Sequence, residues 1–169
     1  MAISRRQSHE SSDHESIMTP MSLRIYPDSV LRQVCEPVDT FDRCLSDVLD
    51  EMLVLMRANN GIGLAGPQVG ITHRLFVSRI AEETICLVNP VITSRMGHAE
   101  MAEGCLSLPG TQVNVGRNQE LEVHGYDRQG QKRQHRLQGL WARVIQHELD
   151  HLNGLLICDY SQAEPCPEQ

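Results

Sequence analysis

The sequence predicts an α+β domain in which short, antiparallel strands pack around a central buried helix. Three observations carry that expectation. Residues 42–58 and 140–152 place apolar side chains at helical spacing. Between them lie several short segments of strand character, with no internal repeat. The second helical segment is apolar on most sides and yet contains Gln146-His147-Glu148-Leu149-Asp150-His151, so it belongs inside the molecule with its polar groups in use.

The elements follow in order. Residues 1–20 are rich in Ser, His and Glu and nearly lack large apolar side chains, so a disordered leader is expected there. Glu10, Asp13 and Glu15 within it count against an organelle transit peptide. Residues 23–38 carry Pro27 and Pro37 and read as extended or looped chain. In the first helix, Leu45, Val48, Leu49, Met52, Leu53, Leu55 and Met56 recur at three and four, with Thr40 or Asp42 as the cap and Gly61 beyond the end. Strands are expected at 75–78, 85–88 and 91–93, with Asn89-Pro90 as a break between the last two. A stronger pair, 120–126 and 132–138, is joined through Asp127-Arg128-Gln129-Gly130, whose Gly suits a hairpin turn. The second helix runs between Gly139 and Gly154. A single catalytic domain over 21–160 and a short tail over 161–169 follow from this reading.

Composition excludes several classes. A net charge of -7 without a long basic run argues against nucleic acid as the main partner. No apolar run approaches the roughly 20 residues of a membrane span, and the N-terminus has no signal-peptide core. A cytoplasmic protein is therefore expected, with most of its cysteines free. Cys35, Cys44 and Cys86 read as small buried hydrophobes.

The chemistry is concentrated in the H-E-x-x-H turn. On a helix, His147 and His151 lie one turn apart and can grip one metal ion, with Glu148 beside it to handle protons of a bound water. The third ligand decides the class. The protease pattern that continues to a third His meets Ile157 instead, and for the class that takes a Glu from a later helix the 18 residues after His151 offer Glu164 and Glu168 in a Pro-containing tail. Upstream, Glu103-Gly104-Cys105-Leu106-Ser107 offers a thiolate from Cys105. Cys158 is the competing thiol, within a run, 155–158, that reads as a buried strand. A third element, Gly61-Ile62-Gly63-Leu64-Ala65-Gly66-Pro67-Gln68, lacks the G-K-[ST] of a phosphate loop, and Gln68 is an amide able to donate to a developing oxyanion.

With these three motifs, in this order and at these intervals, the chain resembles the peptide deformylases over roughly residues 23–160. The resemblance implies a hydrolase that removes the N-formyl group from the initiator methionine of nascent polypeptides and releases formate. It implies Cys105, His147 and His151 as metal ligands and Glu148 as general base and acid. Gln68 and the Leu106 N–H match the oxyanion donors. Ile62, Gly63 and Gly104 match backbone positions that pair with an extended peptide, and Val144 falls in the methionine pocket. One divalent ion is implied, Fe(II) as the working metal, with Zn, Ni or Co as substitutes. The partners implied are N-formylmethionyl peptides and nascent chains near the ribosome. Glu103 is a candidate acceptor for a ligand His, and Arg117 a candidate partner of Asp150.

The chain departs from the family pattern at several places. Gly66 stands where Ala is usual, which is expected to loosen the backbone before Pro67-Gln68. Gln112 replaces an Arg found in some members, the long C-terminal helix of one branch is missing, and Arg143 is an unexpected charge in an apolar helix. These departures keep open an alternative reading, a related hydrolase of another formyl or amide substrate or a catalytically impaired metal-binding paralogue.

Overall fold

The computed structural model describes residues 21–161 and residue 166. The expected leader and most of the tail lie outside the described residues. Helix α1 is Arg43–Ala58 and helix α2 is Leu140–Leu152. Strands β1 (Gly63–Ala65), β2 (Leu75–Ile80), β3 (Glu83–Met96), β6 (Glu120–Tyr126) and β7 (Lys132–Gln138) form one antiparallel sheet in the order β1-β2-β3-β6-β7. Strands β4 (Ala99–Cys105) and β5 (Leu108–Arg117) form a separate antiparallel pair joined through Leu106-Ser107.

Strand alternation explains how the large sheet serves both helices. On one face Ala65, Phe76, Leu87 and Val123 meet Ala142, Ile145, Leu149 and Leu152 of α2. On the other face Leu64, Leu75, Val77 and Val88 meet Leu49, Met52, Leu53 and Met56 of α1. Phe76, with none of its surface exposed, supplies one of the largest apolar burials, of the order of 2–3 kcal/mol. Asp42 caps α1 by accepting from the Leu45 N–H at 2.9 Å, a contact worth about 1 kcal/mol. A third apolar cluster joins Leu108 and Val115 of the hairpin to Leu31, Leu156, Ile157 and Cys158.

The expected fold class holds, with local corrections. Asn89-Pro90 does not end a strand. Asn89 takes φ 51 and shifts the β3–β6 register, and β3 runs on through it. Its side chain makes this tolerable: Oδ1 accepts from the Val38 N–H at 2.8 Å, and Nδ2 donates to the Val38 carbonyl at 2.9 Å. The run 155–158 is not a strand, because Ile157–Tyr160 turns into a 3-10 helix after Leu156. Cys44 is exposed rather than buried, and Cys86 is half-buried; Cys35 is buried as expected. Cys158 pairs with Cys166, leaving four cysteines free.

Candidate active site

Helix α2 divides its faces cleanly. Ala142, Ile145, Leu149 and Leu152 form the stripe that packs on the large sheet, while Arg143, His147 and Asp150 form a polar stripe whose side chains reach the β4–β5 hairpin. The two histidines are one turn apart, with their Nε2 atoms 3.1 Å from each other. Cys105 ends β4, and its Sγ is 3.3 Å from His151 Nε2. The three ligand atoms all lie within 4.8 Å of one another. Cys158 does not compete, since its sulfur is bonded to Cys166.

These residues fit a divalent metal ion. One thiolate and two imidazoles make a three-ligand set that leaves a fourth position open. Glu103 Oε2 lies 3.0 Å from His147 Nδ1. A carboxylate only accepts, so Nδ1 carries a hydrogen, and Nε2 is the nitrogen that faces the centre. Glu148 Oε2 and His151 Nδ1 are buried polar atoms with no partner among the described residues. A buried carboxyl oxygen without a protein partner beside a convergent set of metal-binding side chains is costly unless a bound group uses it.

The electrostatics follow from burial and neighbours. Burial pushes the Glu148 carboxyl up to about 7, against the opposing charge of His147. A carboxyl with that affinity can take up and release a proton near neutral pH. Burial pushes Glu103 upward as well, but hydrogen bonds from His147 and Arg117 outweigh it and hold the carboxyl at about 2. Burial opposes protonation of His147, yet Cys105 and Glu103 together raise it. Burial, then the His147 charge, lowers His151.

Gln68 sits in the 3-10 turn Gly66–Val69 and is 1% exposed. Its Oε1 accepts from the Ala65 N–H at 2.9 Å, so its amide nitrogen must face the other way. Nε2 donates to Ser107 Oγ at 3.2 Å and lies 3.5 Å from Cys105 Sγ. Gly66 does not loosen this turn. A Cβ there would meet the carbonyls of Ile71 and His73 at 2.6 and 2.8 Å, so the glycine admits a neighbouring loop.

A cavity of about 540 Å³ opens onto the ligand cluster. Ile62, Gly63, Gly104, Leu106, Val144 and Glu148 all line it. Strand β1 is an edge strand and β4 pairs only with β5, so both keep unpaired backbone for an incoming chain. Met101, Leu140 and Ile62 stay substantially exposed at this cavity and give it an apolar rim.

Sequence reasoning expected Glu103 beside one of the ligand histidines, which is His147, and Arg117 beside Asp150, as found. It did not foresee that Arg117 also grips Glu103 through two 3.0 Å bonds. It also missed Ser107, whose hydroxyl receives the Gln68 amide, and Gln146, whose amide pairs with both backbone groups of Asn118. The E-G-C-x-S motif contained the Ser107 signal; Gln146 carried only its position beside the first histidine.

Comparison with known proteins agrees with the geometry. The sequence model of the polypeptide deformylase family matches residues 20–165. A peptide deformylase of Hydrogenovibrio crunogenus is 42% identical over 146 residues, covering 85% of this chain and 86% of that protein. The crystal structure of a Legionella pneumophila peptide deformylase aligns with TM-score 0.83 at 38% identity, over 86% of this chain and 88% of that one. That of Thermotoga maritima aligns with TM-score 0.82 at 37% identity, over 84% of this chain and 97% of that one. The chain belongs to the peptide deformylase family.

Proposed function

We propose that this chain hydrolyses the N-formyl group of formylmethionyl peptides, with Cys105, His147 and His151 as metal ligands. The observation that carries the reading is the partnerless, buried Glu148 carboxylate beside that ligand cluster, in a cavity walled by two strand edges. Residues 21–160 act as one catalytic domain. The thiolate and two imidazoles would take Fe(II), Zn, Ni or Co, and membership of the family favours Fe(II) as the working metal, with the others as substitutes.

Each residue has a defined task. The formylated end lies extended, pairing with the backbone at Ile62 and Gly63 on one side and Gly104 on the other. Val144 closes the pocket for the methionine side chain. A bound divalent ion supplies Lewis acidity, lowering the pKa of the attacking water. Glu148 accepts a proton from that water as it attacks the formyl carbon. The Gln68 amide and the Leu106 N–H donate to the oxygen that becomes negative. Glu148 then returns the proton to the departing amine, and formate leaves.

Formylmethionyl ends arise during translation, so the substrates are nascent chains at or near the ribosome, and the cytoplasm is the compartment we assign. Among the described residues no helix is long and apolar enough to cross a membrane.

The test is formate release from a formyl-Met peptide by anaerobically prepared Fe(II) or Ni(II) protein. Absence of formate with metal bound overturns the reading. Glu148→Ala should abolish turnover and keep the metal. Cys105→Ser should weaken metal binding, whereas Cys158→Ser should not.

A further inference from the structure

Arg143 is the charge that the sequence left unexplained. It is 7% exposed, in the first half of α2, and its guanidinium hydrogen bonds all go to the β4–β5 hairpin. Nη1 donates to Glu103 Oε1 at 2.7 Å and to the Val115 carbonyl at 2.8 Å. Nη2 donates to the Ala99 carbonyl at 2.6 Å. One side chain on the helix thus holds both strands of the hairpin and the carboxylate between them.

Glu103 is the hub of this arrangement. Its Oε1 accepts from Arg143 and from Arg117 Nε, and its Oε2 accepts from Arg117 Nη2 and His147 Nδ1. Four donors occupy the roughly four acceptor sites of a carboxylate. Arg143 precedes His147 by one turn, so the two lie on the same face of α2. Glu103 precedes Cys105 by two residues, and both side chains reach the histidines of α2, Glu103 at His147 and Cys105 at His151. At the other end of α2, Arg117 of β5 is bonded to Asp150. Two arginines therefore tie the hairpin to the helix, Arg143 from a turn before His147 and Arg117 at Asp150, beside His151.

The tie matters because α2 and the hairpin barely pack. The backbone of α2 approaches β1, β2, β7 and the Gly66–Val69 turn closely, and approaches β4 and β5 sparsely at most. The apolar packing of Cys105 and the hairpin is against Leu31, Leu156 and Ile157, so the direct connection between the hairpin and α2 is made by long polar side chains.

We propose that Arg143 is a positioning residue for the metal centre, fixing the hairpin that bears Cys105 at the distance from α2 at which all three ligands converge. This rests on the ligand set assigned under the proposed function. Arg143→Met removes all three bonds. Arg143→Lys keeps one charge and a donor for Glu103 but cannot span the two carbonyl oxygens.

The experiment loads wild type and both variants with Co(II). It reads the dissociation constant by chelator competition, the thiolate-to-Co(II) absorption and the d–d bands. It also reads the melting temperature of each metal-free protein. Arg143→Met should weaken Co(II) binding at least about tenfold and alter both absorptions, in the range seen when outer partners of ligands are removed. Arg143→Lys should fall between Met and wild type. Unchanged affinity and spectra in Arg143→Met, even with a lowered melting temperature, overturn the proposal and leave Arg143 a structural role only. If Arg143→Met does not fold, Arg143→Lys decides: weakened binding with altered bands supports the role, and wild-type binding with wild-type bands refutes it. Failure of the ligand assignment looks different, because the thiolate band would then be missing from wild type or would survive Cys105→Ser.

Discussion

Gly63 and Glu148 compete for one volume. A Cβ built on Gly63 would collide with the Glu148 carboxylate and lie 3.1 Å from Val144 Cγ1. The absence of a side chain on the edge strand is thus the condition for placing the carboxylate over the cavity. Gly63→Ala is expected to swing Glu148 aside and lower kcat by about 10²-fold, the scale of a 1 Å misplacement, while metal content stays at the wild-type level. Steady-state kinetics with metal analysis checks this; a variant of normal kcat would show that Glu148 needs no such space.

Gly66 answers to a different constraint. Carbonyls of Ile71 and His73 stand where its Cβ would go, and backbone oxygen atoms cannot rotate away as a flexible side chain can. Gly66→Ala, although it introduces the residue usual in the family, should cost about 1–3 kcal/mol as an overpacked site. Urea unfolding measures it, and a variant as stable as wild type contradicts the close approach.

Glu103 gives the fold an acid limit. Its carboxyl lies at about 2, below the ordinary value of 4.5. A depressed value means the stabilisation is complete above about 4.5 and is lost as the pH falls toward 2. Across that window the contribution is of the order of 3 kcal/mol. In metal-free protein, Glu103→Gln should therefore be much less stable than wild type at pH 7, with the gap narrowing below about pH 4.5 and closing only as the pH falls below about 2. A gap independent of pH would assign the loss to shape alone.

The cysteines should separate by reactivity. Cys44 is exposed, and alkylation of the native protein should reach it first. Burial pushes the Cys35 thiol up to about 11, against a small opposing effect of Arg74, so at pH 8 little thiolate exists there and labelling should await unfolding. Cys158 and Cys166 should label only after reduction. Peptide mass analysis reads all four, and native labelling of Cys166 without reductant would contradict the bond.

What the sequence disclosed was what neighbours along the chain decide. Helix α2 was readable because its apolar stripe and its histidines repeat within a few residues, and the β6–β7 pair because its turn is local. The β4–β5 hairpin was not, since one side of it faces a cavity and Ala99 to Cys105 shows no alternation of apolar and polar residues. Arg143 looked misplaced because its partners lie up to 44 residues away. Asn89-Pro90 carried an honest local break signal that a distant segment, at Val38, overrode.

That last pairing has a chemical consequence. The Asn89 side chain acts as a substitute peptide group, giving Val38 both the acceptor and the donor that a neighbouring strand would supply. Such a substitute is only as durable as its amide, and asparagine amides are lost when the next backbone nitrogen attacks the side-chain carbonyl. Here the next residue is Pro90, whose ring nitrogen has no hydrogen to give up. The residue pair that bends the strand also closes the ageing route that would turn Asn89 into an acid and set its charge against the Val38 carbonyl.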